Sequence, residues 1–244
     1  MSYESTVLRS WYLLFHFGSH EEILADVGFS EEYLPPGCLD FPVATTSLLP
    51  EGAPSGRALD LGCAVGRSSF ELSRDFDEVI GIDFSESFIE VAEAIRNGEE
   101  PAYERFGEMH LPTTLTAKRP ALCRPDRIRF EQGDAMALRE DLGSFDLVHA
   151  ANLVCRLPEP TRFTRRLHSL VNTGGHLIIA TPATWLDEFT PRENQPTGKT
   201  LDFLDAELSA GFDRISVTEI PFLIREHQRK LQLSTSQTSL WRRK

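Results

Sequence analysis

A glycine-spaced turn between a short apolar run and the start of a helix is the feature that most constrains this fold. Residues 57–61 form the apolar run, glycines stand at positions 62 and 66, and residues 68–72 begin the helix. Glycine allows the backbone to approach a ligand closely because it lacks a Cβ atom. The first turn of a helix adds free N–H groups at the same place. The turn therefore predicts a nucleotide-type binding site between a strand and a helix.

Periodicity along the chain predicts how the remaining segments are arranged. Helical segments alternate with apolar, strand-like segments. The predicted helices are 68–74, 85–96 with Ser85 as N-cap, 161–171 and 201–210, and the predicted strands are 57–61, 78–83, 128–131, 145–150, 176–181, 215–220 and 239–242. Such alternation is typical of a parallel sheet with helices on both faces. We expect a doubly wound, seven-stranded α/β sheet whose last strand is reversed, since no helix separates it from the strand before it.

The chain is predicted to consist of a cap followed by a core. Residues 1–56 read as a helical cap, with an aromatic helix at 7–17 and shorter helical turns at 21–27 and 42–49. A segment in this position covers either a ligand pocket or only the edge of the sheet, and the sequence leaves both open. Residues 57–244 form the core, with a loop-like insertion at 97–126 that contains a short hairpin near 103–106. The segment 184–200 is predicted to be a lid or an ordinary surface connection.

Charge and cysteine content exclude several classes of partner. With 25 Lys and Arg residues against 37 Asp and Glu residues, the net charge is −12, and such a surface repels nucleic acid. No apolar run approaches the roughly 18 residues of a membrane helix, and residues 1–10 lack the pattern of a signal peptide. The four cysteines form no CxxC pair, so no metal site or disulfide framework is expected. The sequence predicts a cytoplasmic protein.

Three acidic residues at predicted strand ends indicate the kind of ligand. Asp60 precedes the first glycine, Asp83 ends the next strand, and Asp134 follows the strand after that. A dinucleotide site usually has G-x-G-x-x-G spacing. A carboxylate at position 60 would repel a pyrophosphate but attract an ammonium and a sulfonium. With Asp83 placed for the ribose hydroxyls and Asp134 for the adenine amino group, the pattern favours S-adenosylmethionine, with S-adenosylhomocysteine as product.

These motifs also carry a family resemblance. Residues 60–66 look like the first motif of class I methyltransferases, and residues 133–135 resemble their adenine-binding motif. The resemblance implies a Rossmann-like methyltransferase fold. Val65 departs from the glycine that many members have, which narrows the turn. The implied cofactor-binding residues are Asp60, Gly62, Cys63, Gly66, Asp83, Phe84, Asp134, Ala135 and Asn152.

Less common stretches resemble a narrower family. Together with residues 66–72, the stretches 12–18, 151–158, 184–194 and 221–227 are similar to the methyltransferase domain of ovothiol biosynthesis, and the resemblance extends from about residue 3 to residue 241. It implies methylation of an imidazole ring nitrogen of 5-thiohistidine (4-mercaptohistidine). In that family the domain is often fused to an iron-dependent sulfoxide synthase, which this sequence lacks. The resemblance therefore implies a link to a separate synthase that supplies the thiohistidine.

The same resemblance suggests which side chains contact the acceptor. The carboxylate of an amino-acid substrate requires an arginine fork, and the candidates are Arg67, Arg156, Arg192 and Arg225. Trp185 and Phe189 are expected to form an aromatic wall. The residues expected to reach the acceptor from the cap are Tyr12, Phe15 and His16.

Catalytic residues are less well defined by the sequence. The candidates for accepting the ring proton are His16, Glu193, Tyr12 and His227, directly or through water, and a dedicated base is not required. Asn152 follows the fourth strand of the predicted sheet, where cofactor and acceptor are expected to meet. Its alternative is a structural role in the turn.

Three alternative functions are left open. The first keeps the methyltransferase class but changes the acceptor to another small imidazole, amine or thiol. The second is a dinucleotide oxidoreductase, against which the glycine spacing and Asp60 argue. The third is a non-catalytic S-adenosylmethionine-binding partner of a separate sulfoxide synthase.

Overall fold

The computed structural model describes residues 4–244, so the first three residues of the predicted cap lie outside the described range. The strands are β1 (Arg57–Leu61), β2 (Glu78–Asp83), β3 (Ala102–Phe106), β4 (Pro112–Thr116), β5 (Ile128–Gln132), β6 (Phe145–Ala151), β7 (Val171–Thr181), β8 (Phe212–His227) and β9 (Lys230–Arg243). Seven of them form one sheet in the order β5-β2-β1-β6-β7-β9-β8, while β3 and β4 form a separate hairpin. β9 runs antiparallel to both of its neighbours, β7 and β8, whereas the other neighbouring pairs of described strands in the large sheet are parallel. The predicted fold, with its reversed last strand, is confirmed.

Helices cover both faces of this sheet. They are α1 (Thr6–Phe17), α2 (His20–Leu24), α3 (Phe41–Thr46), α4 (Arg67–Leu72), α5 (Glu86–Arg96), α6 (Pro160–Leu170) and α7 (Thr200–Leu208). Side chains alternate along β1, so Ala58 packs with α4 and α5 on one face. Its neighbour Leu59 packs with α6 and α7 on the other face. The buried faces of these amphipathic helices thus complete two apolar layers around the sheet.

The predicted N-cap of α5 is present. The Ser85 hydroxyl accepts a hydrogen bond from the Phe88 amide at 3.2 Å. Such a bond satisfies one of the free N–H groups at the start of the helix and stabilises it by about 1 kcal/mol. It also fixes the chain direction immediately after Asp83.

The insertion at 97–126 is more ordered than the sequence predicts. Its hairpin has strands at 102–106 and 112–116, and Tyr103 is buried. The Glu104 amide donates to the Ser10 hydroxyl of α1 at 3.2 Å. The hairpin therefore packs against helix α1. Hydrophobic periodicity within the insertion does not reveal this contact.

The last two strands are much longer than predicted, with 16 residues in β8 and 14 in β9. The prediction stopped at Ile220 because Pro221 follows it and because the facing segment is rich in Ser, Thr and Gln. Their distal half extends beyond the end of β7 and packs on the cap. There the Phe222 and Phe15 ring centroids lie 6.1 Å apart, and the Leu223 amide donates to the Cys38 carbonyl at 3.0 Å. Pairing and cap contacts thus extend the hairpin.

No helix among residues 4–244 is long and apolar enough to cross a membrane. The four cysteines are free thiols. Within the same described range, no group of three or more His, Cys, Asp and Glu side chains is arranged to hold a metal ion.

Candidate functional site

A cavity of about 440 Å³ lies at the carboxyl ends of the central strands, beneath the cap. Its size is within the range of small-molecule sites. The polar side chains that line it are Tyr12, His16, Asp60, Ser68, Asp83, Asp134, His149, Asn152 and Arg156. The apolar side chains and glycines are Phe15, Phe41, Pro42, Gly62, Cys63, Ala64, Ile82, Phe84, Phe88, Gly133, Ala135, Ala151, Leu153, Leu157, Pro158, Phe189 and Ile224.

The cavity has two halves. The acidic half is formed by the glycine turn and the strand ends, and we define it by Asp60, Gly62, Cys63, Asp83, Phe84, Asp134 and Ala135. The aromatic half is formed by the cap, the β8–β9 hairpin and two loops, and we define it by Tyr12, Phe15, His16, Phe41, Asn152, Arg156, Phe189 and Ile224.

The two glycines of the turn serve different purposes. Gly62 lines the cavity at φ +70°, and a Cβ there would lie 3.2 Å from Leu153. Gly66 does not line the cavity. A Cβ at Gly66, whose φ is +92°, would lie 2.6 Å from the Phe130 ring. Glycine is therefore required at position 66 by backbone conformation and packing, and its contact with the cofactor stays a prediction.

Asp60 lies on the floor of the acidic half and is almost completely buried. One carboxylate oxygen accepts from the Ser69 hydroxyl at 2.7 Å, and the other contacts Nδ1 of His149 at 2.8 Å. A buried carboxylate requires such partners because its desolvation is costly. The remaining lone pairs of Asp60 are available to a cationic ligand group.

Asp83 ends β2 and is held by the backbone. Its carboxylate accepts hydrogen bonds from the Ala64 amide at 2.8 Å and from the Ser85 amide at 2.9 Å. Burial raises the pKa of Asp83, although these two amides act in the opposite direction. The geometry fixes the carboxylate at the cavity wall, and its contact with ribose hydroxyls stays a prediction.

The outer edge of the acidic half is more open. Asp134 is exposed and accepts a hydrogen bond from the Met136 amide at 2.8 Å, while Phe84 keeps 68% of its surface exposed. Ala135 lies beside them in the wall. A flat, partly solvated ring such as adenine is compatible with this edge, and the roles of these residues stay predictions.

Cys63 is an apolar wall residue. Its side chain is 2% exposed, and burial raises the pKa of its thiol well above the usual value. The thiol is therefore neutral and unreactive at ordinary pH.

The donor set fits S-adenosylmethionine better than a dinucleotide. Asp60, Asp83 and Asp134 bring three carboxylates to one half of the cavity, and Arg156 in the other half is its one Arg or Lys side chain among the described residues. A pyrophosphate would meet negative charge, whereas an ammonium and a sulfonium would be attracted. The residues present thus agree with the cofactor predicted from the sequence.

Helix α1 supplies three rings to the aromatic half. His16 lies between Tyr12 and Phe15, with ring centroids 5.9 Å and 5.2 Å away. Burial, reinforced by the nearby Arg67, lowers the pKa of His16 to about 3. Its buried Nδ1 has no hydrogen-bond partner within the described range. His16 is therefore a neutral imidazole with an unused polar atom, which favours a ligand or water as partner.

Asn152 lies at the junction of the two halves, just after β6. Its φ is +56°, an uncommon conformation for a residue with a side chain. Its side-chain Oδ1 accepts a hydrogen bond from the Ser236 hydroxyl at 2.6 Å, and its backbone N–H donates to the Ala180 carbonyl at 2.8 Å. The β9 strand thus fixes the side-chain orientation and leaves the NH₂ group as a donor.

Arg156 and Phe189 close the aromatic half from the opposite side. The guanidinium lies 4.8 Å from the centre of the Phe189 ring and donates to the Thr184 carbonyl at 2.7 Å. Stacking and one hydrogen bond hold the fork in place, with N–H groups remaining for an anion.

The predicted lid is anchored to this wall. The Thr190 hydroxyl donates to the Leu157 carbonyl at 2.7 Å, and the Asn194 amide group donates to the Pro158 carbonyl at 2.9 Å. These bonds attach residues 184–200 to the loop that contains Arg156. Opening of this segment as a lid stays a prediction.

Several residues predicted for the acceptor lie outside the cavity. Arg67 donates to the Glu71 carboxylate at 2.8 Å and to the His16 carbonyl at 3.0 Å. Trp185 donates to the Thr200 hydroxyl at 2.9 Å, and Arg192 and Glu193 are exposed in a short 3-10 turn. Other partners and solvent thus engage these side chains outside the cavity, and their roles towards the acceptor stay predictions.

Two candidates on the distal part of β8 also lie outside the cavity, and their roles stay predictions. Arg225 is buried and donates to the carbonyls of Ile23 at 2.8 Å, Ala25 at 2.7 Å and Phe106 at 3.2 Å. It joins the cap to the β3–β4 hairpin. His227 also lies outside the cavity lining.

Sequence reasoning missed other lining residues. Phe41 and Ile224 enter the cavity from the cap and the long hairpin, and His149 enters from the middle of β6. Only His149 had a usable signal, because it is a lone polar residue inside an otherwise apolar predicted strand.

Comparison with known proteins gives a family for this geometry. A family model described as a methyltransferase domain matches residues 40–229. Trans-aconitate 2-methyltransferase of Deinococcus radiodurans is 30% identical over 139 residues, which are 56% of this chain and 42% of that protein. Demethylmenaquinone methyltransferase of Lactococcus lactis subsp. lactis is 30% identical over 123 residues, 49% of this chain and 39% of that protein. The matched segment thus covers about two fifths of each curated relative.

Solved structures agree with the fold. The N-methyltransferase NodS of Bradyrhizobium japonicum, in complex with S-adenosylhomocysteine, aligns with a TM-score of 0.55 at 14% identity, over 93% of this chain and 98% of that one. A structure described for the conversion of a disulfide bond into a thioacetal group during echinomycin biosynthesis also gives 0.55, at 20% identity over 82% and 81%. At these identities the likeness concerns the fold alone.

Proposed function

The chain belongs to the family of S-adenosylmethionine-dependent methyltransferase domains, and we propose that it methylates an imidazole ring nitrogen of 5-thiohistidine. The proposal combines the sequence resemblance to the ovothiol methyltransferase domain with the chemistry of the aromatic half. Its acceptor is a small flat ring that carries an amino-acid carboxylate.

One observation carries the proposal: the aromatic half combines a neutral histidine, whose Nδ1 is buried, with a single stacked arginine. His16 offers an unused Nδ1, and Arg156 offers a guanidinium fork. An aromatic ring with an N–H group could lie between the apolar walls and donate to His16. A carboxylate could bind the guanidinium of Arg156. The quinone-type and acyclic acceptors in the names of the curated relatives lack this combination of an imidazole and an amino-acid group.

The chain's own residues supply orientation. Asp60, Asp83 and Asp134 would hold S-adenosylmethionine, which would supply an electrophilic methyl group. Methyl transfer needs the nucleophile, the methyl carbon and the sulfur in line, and such alignment accounts for much of the rate gain. The thiolate of thiohistidine is a better nucleophile than the ring nitrogen. Selectivity therefore requires the pocket to turn the nitrogen towards the methyl group.

Two groups near the junction are suited to that task. The amide NH₂ of Asn152, fixed by Ser236, lies where the two halves meet. Neutral His16 can accept a hydrogen bond from a ring N–H, since its pKa of about 3 keeps it unprotonated at neutral pH. The same low pKa makes it a weak base, so the ring proton would leave to water. In this scheme Arg156 anchors the far end of the substrate, and the carboxylates stay with the cofactor.

The test is a methyl-transfer assay with product mapping. The purified chain is incubated with S-adenosylmethionine and 5-thiohistidine, beside histidine, an ergothioneine-type thione and trans-aconitate as control acceptors. Mass-spectrometric fragmentation locates the methyl group. Transfer to the ring nitrogen of thiohistidine alone is expected. Transfer to sulfur, or preferential transfer to a control, would overturn the proposed acceptor.

A second measurement separates catalysis from binding alone. If calorimetry gives normal S-adenosylhomocysteine binding while no acceptor is methylated, the chain is a cofactor-binding partner that needs a sulfoxide synthase. Adding that synthase in the same assay would then restore transfer.

A further inference from the structure

The floor of the acidic half contains a buried hydrogen-bonded triad, Asp60, His149 and Thr45, in which only Asp60 has a role in the proposed reaction. Asp60 and His149 are register partners on the parallel strands β1 and β6. Nδ1 of His149 lies 2.8 Å from one Asp60 oxygen, and Nε2 lies 3.1 Å from the Thr45 hydroxyl. All three side chains are at most 1% exposed. These hydrogen bonds therefore connect β1, the strand of Asp60, to helix α3 of the cap.

Burial makes this arrangement expensive unless every member is satisfied. The neighbours of His149 along β6, such as Val148 and Ala150, are apolar, and an apolar residue would be the simplest choice at this position. Asp60 is already held by Ser69 on its other oxygen. His149 is a second buried partner, so each oxygen of the Asp60 carboxylate is held by one side chain.

The position of the ring hydrogen of His149 follows from its two hydrogen-bond partners. An ionised Asp60 only accepts, so Nδ1 of His149 carries the hydrogen and donates it. In the neutral imidazole, Nε2 is then an acceptor 3.1 Å from the Thr45 hydroxyl, whose one hydrogen is shared with the Pro42 carbonyl 3.3 Å away. Loss of Thr45 thus takes away the partner of the buried Nε2 of His149, and loss of His149 leaves the Thr45 hydroxyl bonded only within α3, to the Pro42 carbonyl.

Helix α3 is also a wall of the aromatic half. Its Phe41 and Pro42 line the cavity, and the helix packs on α4 and β8. A ligand that fixes the position of Asp60 would therefore also restrict His149 and Thr45. Through Thr45 it would restrict α3, whose Phe41 and Pro42 would contact the acceptor.

We propose that His149 is a positioning residue that orients Asp60 towards the cofactor ammonium and, through Thr45, couples cofactor binding to the seating of α3. Cofactor binding then pre-forms the acceptor wall. The inference depends on cofactor binding and not on which acceptor is methylated, so failure of the thiohistidine proposal leaves it intact.

Three variants of the full chain separate the two parts of the proposal. His149→Leu removes the link on both sides, Thr45→Val removes only the link to α3, and Ser69→Ala removes the other partner of Asp60 and serves as the matched control. S-adenosylhomocysteine affinity is measured by calorimetry. Hydrogen exchange of the backbone amides of residues 41–46 is measured with and without the same ligand.

We expect His149→Leu and Ser69→Ala each to weaken S-adenosylhomocysteine binding about tenfold, the scale for a hydrogen bond to a charged group. Ligand-induced protection of residues 41–46 should persist in Ser69→Ala and vanish in His149→Leu and Thr45→Val. Full protection in Thr45→Val would overturn the coupling. Wild-type affinity in His149→Leu would overturn the positioning role, and if that variant does not fold, His149→Gln is measured in its place.

Discussion

The acidic half and the aromatic half of the cavity differ in how their residues are brought together. Asp60, Asp83 and Asp134 lie in or directly after β1, β2 and β5, which are neighbours in the sheet. The register of a parallel sheet is enough to gather them at one edge. His16, Arg156 and Phe189 come from the cap, the loop after β6 and the segment after β7. Only tertiary packing gathers these three.

This difference teaches where the molecule can change. In the acidic half, Asp83 is fixed by bonds from the backbone amides of Ala64 and Ser85. The aromatic half depends on side-chain packing between elements, including the Phe15, Phe41 and Phe222 cluster. Substitutions in the first should alter cofactor affinity, and substitutions in the second should alter acceptor affinity.

The largest effect is expected for Asp83→Ala. Loss of a charge-assisted pair of hydrogen bonds should weaken S-adenosylmethionine binding by about 1–3 kcal/mol, measured by calorimetry. Asp75→Ala is the control, because Asp75 is an exposed acid outside the cavity. Unchanged affinity in Asp83→Ala would remove Asp83 from the ribose contact.

His16 provides a test by pH. Because its folded-state pKa is about 3 against 6.5 in the unfolded chain, only the unfolded chain binds the proton between these values. The contribution of this group to stability is complete above pH 6.5 and is lost as the pH falls. Relative to His16→Phe, the wild type should lose about 1–2 kcal/mol of unfolding free energy between pH 7 and pH 5.

Urea denaturation at pH 5, 6 and 7 measures this difference. Parallel pH dependences in the two proteins would show that His16 titrates normally, and the neutral-imidazole role in the aromatic half would be lost with it.

Arg156→Lys should give a smaller and more selective change. Lysine keeps the charge but loses the planar fork, so the KM for the carboxylate-bearing acceptor should rise about tenfold, or about 1.4 kcal/mol. Cofactor affinity should not change. Arg192→Lys is the control outside the cavity, and an equal rise in KM for both variants would contradict the anchoring role of Arg156.

The smallest effect is expected for Trp185→Phe. Its Nε1–H bond to Thr200 should be lost at a cost of about 1 kcal/mol in unfolding free energy, seen in a thermal melt, with kcat and KM unchanged. A rise in the acceptor KM would place Trp185 in the aromatic half after all.

The fold was predictable because its signals are local. Hydrophobic periods, the Ser85 cap and the glycine turn each act within a few residues, and together they predicted the seven strands and the reversed β9. The distal half of β8 and β9 was not predictable, since its Ser, Thr and Gln residues form a strand through pairing and through contact with the cap. The β3–β4 hairpin gained its full order from α1 in the same way.

The site divides along the same line. The sequence by itself determined that the three acids and Gly62 lie together at the cavity, because strand ends and turn glycines are set by local chemistry. It could not decide which arginine faces the cavity, since Arg67, Arg156 and Arg225 differ only in the partners that reach them in space. Tertiary structure alone decided that Arg225 joins the cap to the hairpin, that Arg156 lines the cavity, and that His149 meets Asp60. The physical reason is that a long polar side chain is placed by the nearest available partners, and those partners come from distant parts of the chain.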